Sequence, residues 1–110
     1  MAYSPLVIHL DQGSLSLPMS PTEAATLDHA LQQLMQAIQA AQRTPKVVQA
    51  NLETRLRGTV DLELFCNPNI WPTVHGARIL LTLKAPPIKL SIEVALTQFV
   101  ADLSEFQTQF

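Results

Sequence analysis

Cysteine occurs once, as Cys66, and glycine only three times in 110 residues. A single thiol closes no intramolecular disulfide, and without a CxxC pair the usual zinc spacing is missing. A lone cysteine suits a reducing compartment, so a cytoplasmic protein is expected. The glycines at positions 13, 58 and 76 stand too far apart to form a phosphate-cradling loop. Charge is also scarce: 15% of residues are Asp, Glu, Lys or Arg, against about 25% in an average soluble chain. With 47% hydrophobic residues, the chain lies far from the composition of disorder. Its longest charge-free stretches, His29–Gln42 and Leu64–Ala77, have 14 residues and contain Gln, Asn or Pro. A membrane-spanning helix needs about 20 apolar residues, so no span is expected. A net charge of −2 is the wrong footprint for nucleic acid. The first ten residues lack the basic start of a secretion signal, and His9 and Asp11 interrupt the apolar run.

What is present reads as one α+β domain over residues 1–110. Leu6, Ile8 and Leu10 alternate with Val7 and His9, and Leu15, Leu17 and Met19 alternate with Ser16 and Pro18. The turn cluster Asp11-Gln12-Gly13-Ser14 joins these runs into a hairpin. Ser20, Pro21 and Glu23 form a capping box, opening a helix predicted from Pro21 to about Gln42. Ala24, Leu27, Leu31, Leu34, Ile38 and Ala41 make its apolar seam.

From Val48 to Cys66 the even positions are apolar or small and most odd ones are polar, the period of a half-buried strand. Unbroken parity favours an odd-length turn. A three-residue loop Arg57-Gly58-Thr59 would pair Leu56 with Val60; one long strand bent at Gly58 fits as well. A helix over Pro45–Arg57 competes, with Val48, Leu52 and Leu56 on one face. After the turn-rich segment Asn67–Gly76, Ile79–Leu83 and Ile88–Val94 alternate as a further hairpin. Leu96, Phe99, Val100, Leu103 and Phe106 then mark a helix from Ala95 to about Gln107. The expected order is ββαββββα: an antiparallel sheet of about five to six strands, with a long helix and a C-terminal helix on one face. Strand, turn, strand, helix occurs at both ends of the chain, which allows a pseudo-repeated ββα unit.

Cys66, His75 and Asn67 supply a thiol, an imidazole and a carboxamide, the parts of a cysteine-dependent nucleophilic site. By parity, however, Cys66 also continues an apolar strand face, where a buried inert thiol is ordinary. Trp71, between prolines, is either an exposed partner anchor or a cover over the sheet end. His9, His29 and His75 have no ligand spacing among them, so neither a metal nor another cofactor is expected. His9 lies opposite the apolar face and is expected to be solvated. Asp61 and Glu63 share a strand face with Arg55, Arg57 and Lys89, so cross-strand pairing accounts for both carboxylates.

The helix face opposite the seam carries His29, Gln32, Gln33, Gln36, Gln39 and Gln42, with no charge between Asp28 and Arg43. Burying amides in an interface desolvates no ion. The expected function is therefore a non-enzymatic protein-interaction module, self-associating or serving as an accessory or assembly subunit. Trp71, His29, Gln32, Gln36 and Gln39 are its candidate contacts. The alternatives are a small enzyme using Cys66 and His75, and a binder of a small apolar ligand between sheet and helix.

Overall fold

The computed structural model describes residues 3–58 and 60–110. The element order is β1 (Ser4–Leu10), β2 (Gly13–Met19), α1 (Pro21–Arg43), β3 (Leu52–Arg57), β4 (Asp61–Cys66), a 3-10 turn (Val74–Gly76), β5 (Arg78–Ala85), β6 (Ile88–Ala95) and α2 (Leu96–Gln107). This is the expected α+β order ββαββββα, with six strands, all antiparallel to their neighbours.

The strands do not form a single sheet. β1 and β2 make a two-stranded sheet of their own, and β3-β4-β5-β6 is a four-stranded meander. On the open edge of β1 the backbone N–H of His9 donates to the carboxylate of Asp102 in α2 (2.8 Å). A helix side chain thus takes a place that a further strand would otherwise fill. The expected pseudo-repeat consequently holds only in element order, because the second ββα unit belongs to the larger sheet.

Gly13 adopts φ +142°, so the first hairpin closes through Asp11-Gln12 with Leu10 opposite Gly13. At the start of α1 the Glu23 N–H donates to Ser20 Oγ (3.1 Å), and the Ser20 N–H donates back to the Glu23 carboxylate (3.0 Å). Both halves of the predicted capping box are in place. The seam is buried at Ala24, Leu27, Leu31, Leu34 and Ile38, joined by Ala30, while Ala41 is half-buried.

Residues 45–51 are neither helix nor strand, so both the helix over Pro45–Arg57 and a strand starting at Val48 are overturned. Asn69 provides the cause. Its side chain accepts from the Gln49 N–H and donates to the Gln49 carbonyl, both at 2.8 Å, replacing a ladder partner. The expected odd-length turn is found between β3 and β4, but Leu56 pairs with Leu62 rather than Val60. A shift of two residues preserves the face of every side chain. Thr59, placed in that turn by the sequence, lies outside the described residues.

Leu62, Leu64 and Cys66 of β4 and Ile79, Leu81 and Leu83 of β5 point to the side on which both helices lie. With Leu6 and Ile8 of β1, Leu31 of α1 and Phe99 of α2 they belong to one continuous apolar core. The opposite face of the meander has no element packed over it among the described residues.

Gly58 stands against the start of α1. A methyl group added there would clash with Glu23 Oε2 and push that carboxylate aside, and the same carboxylate is half of the capping box. Gly58→Ala is expected to cost about 1 kcal/mol, the value of a helix cap. Measured by urea unfolding, the loss should nearly vanish in a Glu23→Ala background, where the box is already broken.

Candidate functional site

Among the described residues no hydrogen bond joins Cys66, His75 and Asn67. Cys66 is buried, and its Sγ donates to the Arg78 carbonyl (3.4 Å). Burial pushes the thiol above its ordinary pKa, against a smaller opposing pull from the Trp71 indole. A nucleophilic thiolate needs the reverse shift. The Asn67 carboxamide accepts from the backbone N–H and side chain of Asn69, holding its own loop. His75 is exposed on the 3-10 turn.

Trp71 is half-buried and packs against the core, so it covers the sheet end rather than standing out as an anchor. Apart from that pull on the Cys66 thiol, its buried Nε1 meets no hydrogen-bond acceptor among the described residues. The exposed apolar residue of this loop is Ile70. On α1, His29, Gln32, Gln36 and Gln39 are all exposed, as are Gln33 and Gln42. Gln42 leaves that row to donate to the Pro72 carbonyl, tying the end of α1 to the Trp71 loop.

The sheet face away from the helices carries the most distinctive surface. Strand register aligns its side chains in rows across the meander: Arg57, Asp61, Lys84 and Lys89; then Arg55, Glu63, Thr82 and Ser91; then Glu53, Phe65, Leu80 and Glu93. The third row has an apolar centre between two carboxylates. Phe65 is 40% exposed, Leu80 42% and Ile70 64%. Two shallow grooves meet along this strip. One of about 430 Å³ is lined by Glu53, Arg55, Glu63, Phe65, Leu80 and Thr82. The other, about 230 Å³, is lined by Phe65, Asn67, Ile70, Trp71, Leu80 and Glu93.

Paired charges frame the strip. Glu63 accepts from both Arg55 and Lys84 (3.1 Å to the lysine), and Arg78 reaches Glu93 (3.4 Å) and Asp11 (3.0 Å). The expected cross-strand pairing is thus found for Glu63. Its two cationic partners hold its pKa below the ordinary carboxylate value, the hydrogen bond from Arg55 contributing most. A carboxylate with a depressed folded-state pKa contributes stability above its unfolded value, about 4.3, and loses it as pH falls through the folded value. Glu63→Gln is therefore expected to lower the Tm at pH 7. The difference from wild type should close as thermal melts are taken down through the acid range below pH 4.3.

The expectation of a merely solvated His9 is overturned. Its side chain is exposed, but Nδ1 lies 2.8 Å from Asp102 Oδ1, and Gln98 Nε2 donates to the same oxygen (2.9 Å). Asp102 is one of two buried polar residues in the described part of the chain, the other being the Ser20 cap. Among the described residues, no three His, Cys, Asp or Glu side chains cluster as a metal site. No helix there is long and apolar enough to cross a membrane. Comparison with family models, with curated proteins and with solved structures finds no match to this chain.

Proposed function

We propose that the chain is a non-enzymatic protein-interaction module, an accessory or assembly subunit, whose working surface is the uncovered face of the four-stranded sheet. The observation that carries this is the strip Phe65–Leu80–Ile70, exposed in the middle of a charged frame. Apolar centres with polar rims are the usual anatomy of docking surfaces. The partner is a protein segment that places apolar side chains on Phe65 and Leu80 and basic side chains beside Glu53 and Glu93, at the two ends of that row. A cytoplasmic location belongs to the same proposal, supported by the unpaired and buried thiol of Cys66.

The test compares partner capture from a lysate of the source cells by the immobilised wild type and two variants. Phe65→Thr/Leu80→Thr removes the strip while keeping strand-forming residues. Gln32→Glu/Gln36→Glu/Gln39→Glu alters only the exposed amide face of α1. A partner held by the wild type and the helix variant but lost from the sheet variant, with Tm unchanged within a few degrees, is the expected result. Loss from the helix variant alone would move the site to α1 and overturn the proposal. So would a wild type that retains nothing beyond a matrix control.

A further inference from the structure

The free edge of β6 carries a pattern that is complementary to itself. β6 is an outer strand of the meander, and residues 88–91 are exposed on both faces. Ile88 (65% exposed) and Leu90 (36%) continue the core-facing side of the sheet beyond the point where the helices cover it. Outside the β5 ladder, the hydrogen bonds made to this strand by described residues are two. Arg78 reaches the Glu93 carbonyl (3.4 Å), and the Thr82 and Ser91 hydroxyls meet on the open face (3.3 Å); Arg78 also pairs with the Glu93 carboxylate (3.4 Å), and β1 touches the strand. An exposed strand edge of this kind is a template for another strand.

Such edges are usually blunted by a charge, and Lys89 stands where that charge belongs. Yet the sequence Ile88-Lys89-Leu90-Ser91-Ile92-Glu93-Val94 is symmetric in character about Ser91, with apolar residues alternating and opposite charges two places to either side. In antiparallel pairing centred on Ser91, Lys89 of one copy stands opposite Glu93 of the other, twice. Leu90 stands opposite Ile92, also twice, on the core-facing side. Moving the centre to Leu90 or to Ile92 loses both charge pairs, and parallel in-register pairing sets lysine against lysine.

We infer that β6 joins β6 of a second copy, antiparallel about Ser91, so that two four-stranded sheets become one of eight strands. The contact is isologous: one segment serves both sides, and the two-fold axis closes the assembly at a dimer. Backbone hydrogen bonds supply the attraction, as in other strand additions, and the Lys89–Glu93 pairs select the register. The apolar strip takes no part; Glu93 borders both surfaces and Lys89 only the dimer, so Lys89→Glu is the variant that reads the dimer apart from the proposed working surface.

The test is charge reversal, read by sedimentation velocity across protein concentration. The wild type is expected to dimerise. Lys89→Glu and Glu93→Lys should each weaken the dimer by tenfold or more, by setting like charges together. The combined Lys89→Glu/Glu93→Lys variant should bind clearly tighter than either single variant, short of wild type because the new lysine stands beside Arg78 of its own chain, and that recovery shows that the single variants failed through charge and not through misfolding. A wild type monomeric at millimolar concentration overturns the inference, as does a combined variant no tighter than the singles. Dissociation by Phe65→Thr/Leu80→Thr, with the charge variants unaffected, would place the dimer on the open face and overturn it equally.

Discussion

Asp102→Ala is expected to lower stability by about 2–3 kcal/mol, the range for removing a buried charged hydrogen-bond partner. The carboxylate accepts from the His9 backbone and from Gln98, and it meets the His9 ring. His9→Ala removes the ring but leaves the backbone N–H to the carboxylate, and the ring is largely in water. Its cost should therefore be about 1 kcal/mol, an ordinary hydrogen bond. The order of the two effects is the informative part: denaturant unfolding should rank Asp102→Ala well above His9→Ala. Amide exchange should also show β1 losing protection before the meander. Equal costs for the two variants would mean that the ring, not the edge-capping carboxylate, holds the hairpin.

Phe99→Ala is expected to have the largest effect of any single truncation, about 3–5 kcal/mol. Phe99 is fully buried, and α2, which carries it, touches β1, β6, α1 and the 3-10 turn. A cavity at that junction weakens the contact between the two sheets, which share no backbone ladder. Domains of this size are stable by about 5–15 kcal/mol, so the loss is a large share of the total. At roughly 4 °C per kcal/mol the Tm should fall by more than about 10 °C. Phe99→Leu keeps most of the volume and should cost no more than about 1.5 kcal/mol. Calorimetry on the three proteins checks both the size and the order.

These two residues also mark the limit of what the chain discloses by itself. Ser20 and Glu23, or the alternation through β4, act over a few residues, and local signals of that kind placed every helix and most strands. The two sheets are bridged where Asp102 meets the edge of β1 at His9 across 93 residues, which no local pattern encodes. A trace was nevertheless present. Asp102 follows Phe99 by three and precedes Phe106 by four, so a charged residue sits within an apolar helix seam. Such a residue is either misplaced or partnered. In the same way Asn69 replaced a strand at Gln49 with its own side chain, and a turn-prone asparagine does not announce its partner twenty residues away.

The candidate surface was legible only in part. The odd positions of β3 and β4 do form an outer face, where Glu63 pairs with Arg55 and Lys84 while Asp61, Arg57 and Glu53 make no ion pair among the described residues. Phe65 and Leu80 passed as ordinary alternation, because an exposed apolar residue is common on any strand. Only the register, setting Phe65 opposite Leu80 and both between glutamates, makes them a strip. The amide face of α1, conspicuous by its lack of charge, is exposed.

The joint between the first hairpin and the last helix has a consequence in time. Synthesis yields β1 early and Asp102 some 93 residues later, an interval of about 5–20 s at ordinary elongation rates. Throughout it the outer edge of the nascent hairpin lacks its cap and can pair with whatever strand is near. Protection of that edge falls to the ribosome's surroundings, and ends when α2 emerges and docks.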